Sequence, residues 1–280
     1  MRINEACAAC LYRTQARRTE DEGYLKEVQA LLDGRGKDDT APIMVWRFDR
    51  LYQKRFGAVD DYAAEKRKFN DLVLRMEAPL RARIEAAADP LAAALAMARI
   101  GNYIDFAANE QVSTEAFLGL FDGAVLRAEE QPVYRAFLRA CADAERFLLI
   151  ADNAGEIVLD KLLLEQLRAR FSRLRLKVLV RGGPVINDVT AEDARYVGID
   201  QFAEIVASGE AIPGTVPSML APEARQALED ADVVLAKGQG NYESLSGQGR
   251  RVFYLFLCKC DMFTERFQVP RYTGMFLEER

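Results

Sequence analysis

The sequence contains no histidine among its 280 residues. This absence excludes Ser-His-Asp and Cys-His catalysis, zinc ligation by imidazole and phosphotransfer through histidine, because each needs a group that titrates near neutrality or a nitrogen ligand. Any acid–base chemistry must therefore come from carboxylates, lysine, tyrosine, cysteine or metal-bound water.

Long hydrophobic runs are also lacking, since none approaches the roughly 20 residues that a membrane helix needs. The first ten residues, MRINEACAAC, do not have the charged and then apolar plan of a signal peptide. Lys and Arg total 38 against 43 Asp and Glu, a net charge of −5, so the balance of charge does not indicate a nucleic-acid partner. We expect a cytoplasmic protein without a membrane or nucleic-acid partner, and the sequence indicates no particular oligomeric state.

Cysteine is sparse, with five residues in the chain, and without a signal peptide these argue against a disulfide framework. Cys7 and Cys10 form a CxxC near the N-terminus, while Cys258 and Cys260 close an apolar run near the other end. These four residues have a spacing that allows a second metal site or a redox pair, whereas reduced thiols with two of them in the core are the simpler interpretation. Cys141 lies in a helical pattern and is interpreted as a small buried hydrophobic residue.

The periodicity of apolar residues changes near the middle of the chain. From residue 42 to about 146 they recur at helical spacing, which predicts a mainly α-helical region over 1–145. Beyond it, short apolar strands starting near 147, 177, 203, 232 and 252 alternate with helical segments. This alternation predicts an α/β fold over 146–280 with a mostly parallel, doubly wound sheet.

Polar side chains follow the predicted strands. Asp152 and Asn153 come directly after the first strand, and Asp188 follows the second. Because the carboxyl ends of parallel strands meet at one edge of a sheet, these side chains are expected to face the same rim. Carboxylate and amide oxygens suit a partly hydrated Mg²⁺ or Mn²⁺ better than zinc.

Glycine-rich turns at the same rim indicate an anion-binding role, because they allow backbone amides to approach a phosphate, and Lys259 adds a mobile cation. Asn102 and Asp105 share a helix face and either point into a cleft or form an ordinary solvated face, the latter being the commoner outcome. The remaining candidates for substrate or phosphate binding are polar or glycine residues near the rim, namely Glu156, Ser208, Gly238, Asn241 and Glu243.

Other phosphate- and nucleotide-binding signatures are missing. The first turn reads DNAGE and has no G-x-G-x-x-G, and the chain has no Walker A loop. Asp152 and Asn153 are adjacent, so the Asp-x-Asp of aspartyl-phosphate phosphatases is also missing.

Seven motifs occur in order along the chain: CxxC, GNYIDF, ADNAGE, GGPVINDVT, SGEAIPGT, KGQGNYESL and a terminal KC. With them the sequence resembles the damage-control metal-dependent phosphatases, also called the acidic residue methyltransferase-like family, and most of all their compact prokaryotic branch with an N-terminal CxxC. The resemblance runs from Cys7 to Cys260. One departure is Arg181, which stands where relatives often carry lysine before the GxP turn.

The resemblance implies a Rossmann-like sheet sandwiched by helices, a helical region over the active site, and a divalent ion (Mg, Mn, Co or Ni) held by Asp152, Asn153 and Asp188. It also implies hydrolysis of phosphate monoesters of small metabolites, such as sugar phosphates or damaged cofactor intermediates. Lys259 is then expected to neutralise phosphoryl oxygens. Two alternatives stay open: a carboxyl methyltransferase that uses S-adenosylmethionine, and a noncatalytic protein that binds a metal or metabolite.

Overall fold

The computed structural model describes residues 1–57, 62–101, 118–119 and 121–280. Its N-terminal half is helical, as predicted. Its described residues include the α-helices α1 (Glu5–Arg18), α2 (Glu22–Asp33), α3 (Ala41–Phe56), α4 (Ala63–Glu85), α5 (Pro90–Ile100) and α6 (Gln131–Asp143). Several begin at a capping side chain: Asn4 accepts a hydrogen bond from the backbone of Cys7, and Asp21 accepts one from that of Tyr24. Helix α4 continues through Pro79 without a break.

The C-terminal half is a six-stranded sheet in the order β3-β2-β1-β4-β5-β6. Its strands are β1 (Arg146–Ile150), β2 (Arg175–Val180), β3 (Glu204–Ala207), β4 (Val233–Lys237), β5 (Val252–Leu257) and β6 (Gly274–Glu279). The first five are parallel and β6 is antiparallel to β5. The intervening helices are α7 (Glu156–Arg170), α8 (Ala191–Tyr196), α9 (Pro222–Asp230), α10 (Gln239–Leu245) and α11 (Asp261–Phe267). The predicted mostly parallel α/β fold with a preceding helical region is confirmed.

Strand β6 was not among the predicted strands. Its sequence, GMFLEE, has only three apolar residues in a row and ends in two carboxylates. Such a short segment has no alternation strong enough to predict a strand. The strand is added at the edge beside β5, with Phe276 opposite Leu255 and Gly274 opposite Leu257.

Successive residues of the strands face opposite layers of helices. In β1, Phe147 and Leu149 belong to a core shared with α4 to α7, whereas Leu148 and Ile150 belong to a core shared with α9, α10 and α11. Both faces of the sheet are therefore buried, which explains why its strands are continuous apolar runs. Helices α1, α2 and α3 pack around a smaller core of their own that includes Tyr24 and Phe48.

Helices α4, α5 and α6 share their core with the sheet, so the helical region and the α/β region are in extensive contact. The predicted division between 1–145 and 146–280 stays a prediction. Within the described ranges, no helix combines the length and the apolar character that crossing a membrane requires.

Candidate functional site

Asp152 lies where the strand order of the sheet reverses. Strand β1 pairs with β2 on one side and with β4 on the other, and ligands of open α/β sheets bind at such a switch point. The turn after β4 passes directly against the Asp152 carboxylate. A Cβ added to Gly238 would meet Asp152 Oδ2 at 2.1 Å, and Gly238 has φ +76. Only glycine satisfies both the close approach and this left-handed backbone.

Asp188 is brought to Asp152 and Asn153 by backbone pairing of the loops after β1 and β2. Asn153 and Asp188 form an isolated antiparallel bridge. The amide of Val189 donates to the Asp152 carbonyl at 2.9 Å, and the Asn153 Nδ2 donates to Asp152 Oδ2 at 2.8 Å. The three residues predicted to hold a divalent ion therefore come together at one place on the rim.

Arg181 is a buried cation that contacts the candidate ligands, with only 1% of its surface exposed. Its Nε donates to Asp188 Oδ2 at 2.6 Å, and its Nη1 donates to Asn241 Oδ1 at 3.2 Å. The buried Nη2 has no hydrogen-bond partner among the described residues and lies 3.9 Å from Asp152 Oδ1. One guanidinium thus faces both carboxylates, and the planar fork of arginine suits this better than a lysine ammonium.

The Asp188 carboxylate carries an electrostatic cost that a cation would relieve. Burial, with a further contribution from Asp152, raises the pKa of Asp188 to about 7 against the opposing charge of Arg181. Among the described residues, no group of three or more Asp, Glu, Cys or His side chains is placed to hold a metal. The donors here are two carboxylates and the Asn153 amide. This oxygen set fits a hard divalent ion that keeps several waters, as Mg²⁺ and Mn²⁺ do.

Helix α4 contacts both ligand loops, which the sequence did not suggest. The Asn70 Oδ1 accepts the backbone amide of Gly155 at 2.7 Å. Lys66 is buried, donates to the backbone carbonyl of Asp188 at 3.2 Å and forms an ion pair with Asp193. A helix from the N-terminal half therefore fixes the loops that carry the candidate ligands.

Glu156 was predicted to bind substrate, and the structure places it in the interior with no exposed surface. Lys237, the last residue of β4, lies between Glu156 and Asp160 and donates to both at 2.6 Å, and it also donates to the Ala98 carbonyl. Burial raises the pKa of Glu156 to about 8 while Lys237 opposes it. This position gives no support to a direct substrate contact, which stays a prediction, and it gives Glu156 a place in a buried ion network.

Asn241 and Ser208, which were also predicted to bind substrate, are buried. Asn241 donates to the carbonyls of Ala151 and Lys237, and Thr215 donates to its side-chain oxygen. Ser208 accepts the amide of Gly182 at 2.9 Å. Both residues join the loops at the carboxyl edge of the sheet. Their predicted contacts with substrate stay predictions.

Two other predicted residues differ in exposure. Lys259 is partly exposed beyond β5, and its backbone amide donates to the Gln239 side chain at 2.7 Å, which ties it to the turn after β4. Glu243 is buried in α10, and burial raises its pKa to about 7. Asn102 and Asp105 lie outside the described residues.

Cys7 and Cys260, one from each cysteine pair, lie close enough for the charge of Cys260 to influence the Cys7 thiol. The Cys7 thiol is partly buried, and the charges of Glu243 and Cys260 add to burial in raising its pKa to about 12. Burial raises the pKa of Cys258 to about 11, and Cys10 is exposed. Protonated thiols are poor nucleophiles and poor metal ligands. A second metal or redox site at Cys7, Cys10, Cys258 and Cys260 stays a prediction.

The fold and the rim together define a doubly wound α/β protein with an oxygen-rich candidate site at its switch point. The model of the damage-control phosphatase ARMT1-like domain matches residues 2–274, and the chain belongs to this family. The predicted resemblance is confirmed.

Relatives and one solved structure agree with this assignment. The chain is 30% identical over 277 residues to a damage-control phosphatase of Archaeoglobus fulgidus, covering 93% of each protein. It is 32% identical over 182 residues to a damage-control phosphatase of Pyrococcus horikoshii, covering 64% of this chain and 61% of that one. The crystal structure of a DUF89 family protein from P. horikoshii superposes with a TM-score of 0.82 at 23% identity over the full length of both chains. The last comparison supports the fold alone.

Proposed function

We propose that this protein is a metal-dependent phosphatase that hydrolyses phosphate monoesters of small metabolites, with its metal at Asp152, Asn153 and Asp188. The observation that carries the proposal is the meeting of these three oxygen donors at the switch point of the sheet. Two relatives named as damage-control phosphatases support the same reaction class. The ion is one of the hard or borderline divalent metals, Mg, Mn, Co or Ni.

A divalent ion bound here would supply charge to polarise a phosphoryl oxygen and to lower the pKa of a water. The protein's own contribution is positional. Arg181 orients the Asp188 carboxylate through its 2.6 Å hydrogen bond, and its charge opposes the effect of burial on the pKa of that group. Lys66 fixes the backbone of the same residue. Gly238 lets the turn after β4 approach Asp152 without displacing it.

The negative charge on the remaining phosphoryl oxygens needs separate donors. Lys259 is partly exposed and is tied to the turn after β4, so its ammonium is the predicted counter-charge. The backbone amides around Gly238 to Asn241 are the predicted hydrogen-bond donors. That of Gly238 donates to the Leu255 carbonyl at 3.1 Å, and those of Gln239 to Asn241 begin α10 at this edge of the sheet. Neither role requires a covalent intermediate on the protein.

No observation favours the methyltransferase alternative. S-adenosylmethionine bound to such a sheet calls for an acidic residue at the end of β2. That position holds Arg181, which is buried and bound to Asp188. A noncatalytic metal-binding protein would have the same ligands and would differ only in having no turnover. An activity assay therefore distinguishes this alternative from a phosphatase.

The test is phosphate release by the purified full chain from a panel of phosphometabolites, with Mg²⁺, Mn²⁺, Co²⁺ or Ni²⁺ and after treatment with a chelator. Activity is expected only with metal. Asp152→Asn and Asp188→Asn each remove one charged ligand and are expected to lower kcat/KM at least about 100-fold. Lys177→Met, which removes an exposed cation from the far end of β2, is the control. Full activity of Asp152→Asn with all four metals would refute the proposed site.

A further inference from the structure

A cavity of about 420 Å³ lies between the helical region and the loops at the carboxyl edge of the sheet. One wall comes from α1 and α3, including Leu11, Val45 and Trp46. The opposite wall comes from Pro184, Val185 and Ile186, in the loop between β2 and the candidate ligand Asp188. The volume lies within the range of about 300–1,000 Å³ that is usual for small-molecule sites. The cavity therefore shares a loop with the proposed metal centre.

Ile186 is unusual within this loop in two respects. It has φ +42, a left-handed and strained conformation that a β-branched residue rarely adopts. It is also 42% exposed although it is a large apolar residue. The loop is closed around it by a hydrogen bond from the amide of Asp188 to the Val185 carbonyl at 3.1 Å. The chain thus holds an apolar side chain in a strained position at the edge of the cavity.

The polar groups of the cavity are largely paired with one another. Trp46 Nε1 donates to Glu210 Oε2 at 3.2 Å, and the Arg50 guanidinium lies 5.0 Å from the Trp46 ring and 3.9 Å from Glu210. Arg18 forms an ion pair with Asp49 at 2.6 Å. The two arginines that line the cavity are each opposed by one carboxylate. This charge balance favours an uncharged occupant over a second phosphate or another anion.

An uncharged sugar is also a poor match for these walls. Sugar hydroxyls need several convergent hydrogen-bond partners. Among the described lining residues, Thr14 already donates to the Cys10 carbonyl, and the Gln15 side-chain oxygen already accepts from the Tyr24 hydroxyl. A flat ring instead gains from stacking against an indole and from contact with Leu11, Val45 and Ile186. The walls of the cavity therefore complement an aromatic or heteroaromatic group.

We propose that this cavity binds the leaving group of the substrate, and that the substrate is a phosphate monoester of an alcohol that carries an aromatic or heteroaromatic ring. The inference rests on the proposed phosphatase function and narrows its substrate class. The ring lies against Trp46 and Ile186 while the phosphoryl group reaches the metal centre past the loop that ends at Asp188.

The experiment compares esters that share their leaving-group chemistry and differ in the ring. Adenosine 5′-monophosphate and ribose 5-phosphate are both esters of a ribose primary alcohol, and benzyl phosphate and ethyl phosphate form a second pair. The metal-loaded full chain is expected to have a kcat/KM at least about tenfold higher for the ring-bearing member of one or both pairs.

A second measurement does not depend on turnover. Trp46 is the single tryptophan of the chain, so its fluorescence reports on the cavity directly. Adenosine 5′-monophosphate or benzyl phosphate is expected to change this emission saturably, and their ring-free partners are not. Chelating the metal stops hydrolysis while these titrations are repeated.

Variants separate the cavity from the metal centre. Trp46→Ala and Ile186→Ala are each expected to lower the ratio of the two kcat/KM values about three- to tenfold, and Trp46→Phe, which keeps a ring, is expected to restore most of it. Val125→Ala removes an apolar side chain that is 63% exposed elsewhere and is expected to leave the ratio unchanged. Ile186→Ala serves if Trp46→Ala does not fold.

The outcomes distinguish this inference from the proposed function. If ring-free esters are hydrolysed as well as their partners and the Trp46 emission does not respond, the leaving-group inference is overturned and the phosphatase stands. If no ester is hydrolysed with any metal, the phosphatase proposal is overturned, while a saturable response of Trp46 to the ring-bearing members alone supports the ring-binding role of the cavity.

Discussion

Replacing Gly238 by alanine tests the candidate metal centre with a single methyl group. The added Cβ would lie 2.1 Å from Asp152 Oδ2 and 2.2 Å from its Cγ, closer than any real contact, so the carboxylate or the turn after β4 must move. Alanine at φ +76 adds a backbone cost of about 1–2 kcal/mol. The substitution therefore combines general strain with a specific displacement of one proposed ligand.

Gly247→Ala separates these two effects. Gly247 has φ +77, close to the φ of Gly238, but a Cβ there has no described atom within 4 Å. Both variants are expected to lose about 1–2 kcal/mol of stability from the backbone, and Gly238→Ala loses more because of the clash. Loss of a partner that supports a metal ligand usually costs about 10- to 100-fold in affinity or activity. For a displaced ligand, we expect at least about 100-fold.

The assays are calorimetric titration with Mn²⁺, kcat/KM with a hydrolysed ester, and urea unfolding for each variant. Gly238→Ala is expected to lose metal affinity and activity together, whereas Gly247→Ala keeps both and loses only stability. If the two glycine variants bind Mn²⁺ equally well, Asp152 is not a metal ligand at the position assigned to it.

Three further predictions concern buried charges. Lys237→Met leaves two buried carboxylates without a cation and is expected to lower the free energy of unfolding in urea by about 3–5 kcal/mol. Lys177→Met, at a surface ion pair, is expected to lower it by less than about 1 kcal/mol. Equal losses would contradict the buried network. Burial raises the pKa of Glu243 from 4.5 to about 7, so the folded state holds this proton more tightly. The free energy of unfolding of the wild-type protein is expected to fall by up to about 3 kcal/mol relative to that of Glu243→Gln as the pH rises from 4.5 through 7. Urea unfolding at pH 4.5 and 8 measures this difference, and parallel pH profiles of the two proteins would contradict it. Lys66→Met removes the cation held against the Asp188 carbonyl and is expected to weaken Mn²⁺ binding about tenfold. Unchanged calorimetric affinity would show that α4 does not position the ligand.

The strands of the sheet and its candidate ligands were accessible from sequence for a clear physical reason. A strand buried on both faces is a continuous apolar run, and in a parallel sheet the residues after each run must meet at one edge. Asp152 and Asp188 lie 36 positions apart in the chain, yet topology alone brings them together. Strand β6 was not predicted because an edge strand with one short apolar stretch has little periodicity in its sequence.

The roles of buried polar residues were not accessible in the same way. Lys237 follows four apolar residues and precedes a glycine, at the start of KGQGNYESL, and nothing in this order of residues indicates a buried ion network. In β4 the Lys237 side chain lies on the same face of the sheet as Leu235, towards α7. There its ammonium donates hydrogen bonds to the carboxylates of Glu156 and Asp160. Asn70 and Lys66 lie on a helix whose docking position has no local signature. Their polarity was visible from sequence, but their partners depend on tertiary packing.

The contacts of α4 with the ligand loops also bear on how the protein folds. The hydrogen bond between Asn70 and Gly155 spans 85 residues of chain, and the one between Lys66 and Asp188 spans 122. Contacts of such long sequence separation require large loops to close before they contribute any stability, so they tend to form late. We expect the sheet and its short-range βαβ units to assemble first. The proposed metal centre would then reach its final geometry only when the N-terminal helices dock, so it would be one of the last parts of the molecule to form.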